Sequence, residues 1–69
     1  MDDILEPTVD IRTAVLRGFV ISNPNITKRL RIANDMKIVV EREFHGWWDI
    51  VSVFEIIDVD KAIQYFSGN

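Results

Sequence analysis

The chain contains no cysteine. No disulfide can staple it, and no thiolate can hold a zinc ion or an iron–sulfur cluster. It begins "MDDILEP", with no base in the first ten residues and no apolar run behind them. That is not the pattern of a secretory signal, so a reducing, cytoplasmic location is expected. The Asn25, Ile26, Thr27 sequon then has no glycosylating compartment to meet. No stretch approaches the roughly 20 apolar residues of a membrane helix, and no membrane partner is expected. Three glycines and two prolines leave no Gly-rich phosphate loop, low-complexity linker or internal repeat. A single histidine, His45, cannot make a multi-histidine metal site. No nucleophile elbow or ligand cluster is present either. Catalytic residues, metal ligands and cofactors are therefore expected to be none.

What is present in quantity is apolar side chain. Hydrophobic residues make up 48% of 69, and the mean hydropathy is +0.07. A chain this short forms one domain, 1–69, and buries only about 60% of its extended surface. The surplus points to self-association, which covers faces a monomer cannot. Net charge is −3, unevenly spread. Residues 1–10 carry −4, residues 11–44 carry +4 and residues 45–69 carry −3. An acidic chain thus has a basic middle.

Residues 1–7 suggest a loosely ordered leader ending at Pro7. Over 8–22, Val9, Ile11, Thr13 and Val15 alternate with Asp10, Arg12 and Ala14, which predicts a strand turning near Arg17 and Gly18. The alternative is a helix over the same span, packed on a three-stranded sheet. Residues 26–44 predict a hairpin, with Leu30 and Ile32 sharing a face with Met36, Ile38, Val40 and Phe44. A three-residue loop of Ala33, Asn34 and Asp35 sets Leu30 opposite Ile38. Residues 47–57 predict a further long strand, rich in Val and Ile. Residues 58–68 change period: Val59, Ala62, Ile63 and Phe66 lie on one helical stripe. Asp58 is the expected N-cap and Gly68 the residue closing the helix. The fold class is α+β and β-rich: a small antiparallel meander of 3–5 strands, open or barrel-like, with a short C-terminal helix.

The stretch "EFHGWWDIV", 43–51, holds the histidine and both tryptophans. His45 and Gly46 suit a two-residue hairpin turn. That register opposes Phe44 with Trp47, Arg42 with Asp49, Val40 with Val51 and Ile38 with Val53. It puts Trp47, Val51 and Val53 on the core face and sends Trp48, Ile50, Phe54 and Ile56 to the other. His45 then becomes a turn residue. Asp58 and Asp60 form "DVD", which a cap and a first-turn acid explain without a cation.

Two functions fit. The first is a non-enzymatic protein-binding or assembly module of the regulator or inhibitor type. It would act through an apolar sheet face or edge strand, with Trp48, Ile50, Phe54 and Ile56 as the interface. Its partners would be a second copy and another protein. The alternative is a nucleic-acid-binding regulator using Lys28, Arg29, Arg31 and Lys37 beside an aromatic side chain. A pI near 4.9 counts against that alternative.

Overall fold

The computed structural model describes residues 11–68. The expected leader, 1–7, lies outside them. Helix α1 (Ile11–Leu16) leads into β1 (Ile21–Ser22), β2 (Lys28–Ile32), β3 (Ile38–Phe44) and β4 (Trp47–Phe54). A 3-10 turn (Ile56–Asp58) then opens α2 (Val59–Gly68). The strands form one open antiparallel sheet in chain order, β1-β2-β3-β4, so the meander does not close into a barrel. Both helices pack on one face. Val15 of α1 and Val59, Ala62 and Phe66 of α2 meet Leu30, Ile38 and Val40 of the sheet in the core. Among the described residues no helix is long and apolar enough to cross a membrane.

Within 8–22 the helical alternative replaces the expected strand over 11–16; residues 8–10 lie outside the described part. Six residues need only a narrow apolar stripe, and Ile11 with Val15, one turn apart, supplies it. Arg12 turns outward to Asp60, Nε to Oδ1 3.2 Å. The helix ends where the turn was expected. Gly18 takes φ +96°. Its N–H donates to the Val15 carbonyl and the Phe19 N–H to that of Ala14, both 3.0 Å, the paired closure of a Schellman motif. The chain then adds only two residues, Ile21 and Ser22, to the sheet. At the other end, Gly68 stays within α2 and does not close it in a left-handed conformation.

The β2–β3 hairpin pairs Leu30 with Val40 and Ile32 with Ile38. The expected register is thus displaced by two residues. An even displacement leaves every side chain on its face, so Leu30, Ile38 and Val40 are still core. The loop is Asn34, Asp35 and Met36. It is closed by the Ala33 N–H to the Lys37 carbonyl at 2.7 Å, with Met36 at φ +65°. Met36 is consequently exposed and does not join the core.

The β3–β4 hairpin has the two-residue turn. His45 and Gly46 take φ +53° and +86°, and Phe44 pairs with Trp47 and Arg42 with Asp49. Beyond Asp49 a bulge intervenes. Ile50 opposes Glu41 and Ser52 opposes Val40, leaving Val51 as the extra residue. A bulge consumes one residue on one strand only and so reverses the alternation beyond it. Ile38 therefore faces Phe54 and Val39 faces Val53, where simple alternation had set Ile38 against Val53. Phe54 and Ile56 pack against the core, and Val53 goes to the opposite face. Trp47 pairs with Phe44 on the side of the helices but is 73% exposed, and is not a core residue.

Candidate functional site

The face of the sheet opposite the helices is built from alternate residues of three strands. Strand β2 contributes Arg29 and Arg31, β3 contributes Val39, Glu41 and Glu43, and β4 contributes Trp48, Ile50 and Val53. Of the four interface candidates, the structure places Trp48 and Ile50 on this face. Phe54 and Ile56 are on the other, with the Phe54 ring 5.9 Å from that of Tyr65 in α2. Val53 takes their place because of the bulge. Ile50 and Val53 are each 54% exposed.

Glu41 sits at the centre of the face and is only 3% exposed. A carboxylate so placed must be satisfied by nearby donors. Arg31 donates from Nε to Oε1 at 2.9 Å and from Nη2 to Oε2 at 3.1 Å. Arg29 Nε also donates to Oε1. The Arg29 guanidinium in turn lies 4.2 Å from the Trp48 ring centroid, a cation–π contact that fixes the indole. The row Arg31, Glu41, Arg29, Trp48 therefore crosses three strands. The hydrogen bond from Arg31 holds the Glu41 carboxyl below its ordinary range, with burial opposing and the bond from Arg29 adding to it. The same bond raises Arg31. Glu41 has no distinctive sequence signal; only the pairing of Arg29 with Glu41 across the hairpin reveals it.

The four basic candidates are divided between the faces. Arg29 and Arg31 are bound to Glu41. Lys37 Nζ lies 3.4 Å from Glu55 Oε2. Lys28 lies on the helix side, where Nζ donates to the Phe66 carbonyl at 2.7 Å. His45 is exposed at its turn, its ring edge-on to Phe44 with centroids 4.4 Å apart. Among the described residues no group of three or more His, Cys, Asp or Glu side chains converges on a metal position. No protein-family model matches the chain, and comparison with curated proteins and with solved structures returned no match.

Proposed function

We propose that this chain is a small non-enzymatic binding module of the regulator or inhibitor type, and that it docks through the sheet face opposite the helices onto a second copy of itself. The supporting observation is one-sided coverage among the described residues. Helices cover one face, while Trp48, Ile50 and Val53 stand together on the other with Ile50 and Val53 more than half exposed. The buried carboxylate of that face is already satisfied, because Arg29 and Arg31 share Glu41, and Glu43 accepts the Gly46 N–H. Two such faces can therefore approach about a two-fold axis without stranding a buried carboxylate. The indole, held by Arg29, supplies a rigid aromatic anchor of the kind that dominates interface energetics.

Light scattering of the full chain tests this. The mass should exceed one 8.0 kDa chain at micromolar concentration. Trp48→Ala and Ile50→Glu should each return it to one chain while leaving a cooperative thermal melt. A wild-type mass of one chain at every concentration defeats the proposal. The nucleic-acid reading ranks second because Arg29 and Arg31 are bound to Glu41, Lys37 pairs with Glu55, and Lys28 lies on the opposite face of the sheet, so the four do not form one basic surface. Tight, steeply salt-dependent binding of DNA or RNA would reverse that ranking.

A further inference from the structure

The helix side of the sheet carries a second cluster, separate from the open face. Lys28 is 8% exposed, and its ammonium complements the carbonyl end of α2 through Phe66. That bond uses one of its three donors. Beside it is a cleft of about 410 Å³ lined by Lys28, Arg42, Val51 and Tyr65. Arg42 is directly opposite Lys28 across β2 and β3, so two cations are neighbours on one wall. Like charges so placed repel unless an anion lies between them. Among the described residues the ion pairs join Arg12 to Asp60, Arg29 and Arg31 to Glu41, and Lys37 to Glu55. Neither Lys28 nor Arg42 takes part. Asp49, the residue opposite Arg42 on β4, is not within ion-pairing distance of it.

We propose that this cleft binds a small organic anion: a phosphate or carboxylate on a short carbon frame. The mostly buried ammonium and the guanidinium take the oxyanion, one as a fixed point charge and the other as a planar fork. The Tyr65 hydroxyl supplies a further donor. Val51 and the Tyr65 ring flank the frame. The volume lies at the low end for ligand pockets and exceeds what a bare ion needs.

The test is an NMR titration of the full chain at low salt with inorganic phosphate, phenyl phosphate and benzoate. Saturable shifts are expected at Val51, Arg42 and Tyr65, with phenyl phosphate or benzoate binding more tightly than inorganic phosphate. The stronger of those two identifies the preferred head group. Arg42→Gln changes an exposed side chain and should weaken binding about tenfold or more. Arg12→Gln removes an equal charge elsewhere and should leave affinity unchanged. Tyr65→Phe, a second variant that keeps the ring, should weaken binding several-fold. The proposal is overturned if no probe gives saturable shifts. Equal weakening by Arg42→Gln and Arg12→Gln, or shifts centred on Arg29 and Trp48, overturns it as well.

Discussion

Glu41→Gln keeps the shape of the side chain and removes its charge. In the native protein that carboxylate accepts three hydrogen bonds from two guanidinium groups. An amide offers one accepting oxygen, and its nitrogen would point a donor at another donor. A fully buried ion pair broken in this way costs about 3–5 kcal/mol. Here the Arg29 and Arg31 side chains keep 28% and 31% of their exposure, so water can recover part of the loss. The expected cost is about 2 kcal/mol, in the range for hydrogen bonds to charged groups. For a domain of this size that lowers Tm by about 8–16 °C. The effect must depend on pH in one direction. The folded state holds Glu41 below the ordinary carboxyl value, so the carboxylate contributes fully above that value. Its contribution is lost as pH falls through the lower folded value. The stability gap between wild type and Glu41→Gln should therefore be widest near neutral pH and close in acid. Denaturant melts from pH 7 to pH 2.5 measure it. A variant as stable as wild type at pH 7, or a gap of constant size down to pH 2.5, refutes the reasoning.

Two other substitutions test where the structure puts its aromatic side chains. Trp47→Ala should cost no more than about 0.5 kcal/mol, because the residue is largely exposed; a loss of several kcal/mol in a chemical melt would show the ring to be packed. Phe66→Ala should cost about 3–5 kcal/mol, since the ring fills the core and flanks Lys28 Nζ at 5.7 Å from its centroid. Circular dichroism should find that variant largely unfolded at 25 °C, and a native-like melt would place Phe66 outside the core.

Local chemistry was most legible where a single residue type decides the backbone. The His45 and Gly46 turn, the break at Gly18 and the stripe of Val59, Ala62 and Phe66 could all be read from the chain, because positive φ and helical period leave direct marks on composition. The sequence of β4 carries no such mark for its bulge. Val51 differs in nothing from a regular strand residue, so strict alternation assigned Val53 to the core and Phe54 and Ile56 to the open face. Helix α1 was obscured for a related reason. Alternation over 9–15 is a good strand pattern taken alone, but tertiary packing selects the conformation that sets Ile11 and Val15 together against α2 and β2. Trp48 and Ile50 were placed correctly because they lie between the turn and the bulge. Glu41 was missed as a site residue because its importance comes from cross-strand neighbours.

The bulge also bears on how far this molecule could grow. Each free sheet edge is a template on which another chain can add a strand. Edge strand β1 is two residues long, too short to template anything. Edge strand β4 is eight residues long, but only Trp47, Trp48, Asp49 and Ile50 alternate regularly before Val51 breaks the phase. Fibril-forming contacts require an unbroken run of about six or seven residues in register. A strand started at Trp47 would therefore fall out of step after four. Asp49 would add like-charge repulsion wherever it met its own copy. Apolar side chains crowd this edge, yet its broken phase opposes end-to-end addition, whereas the face-to-face association proposed above would close between two chains and stop.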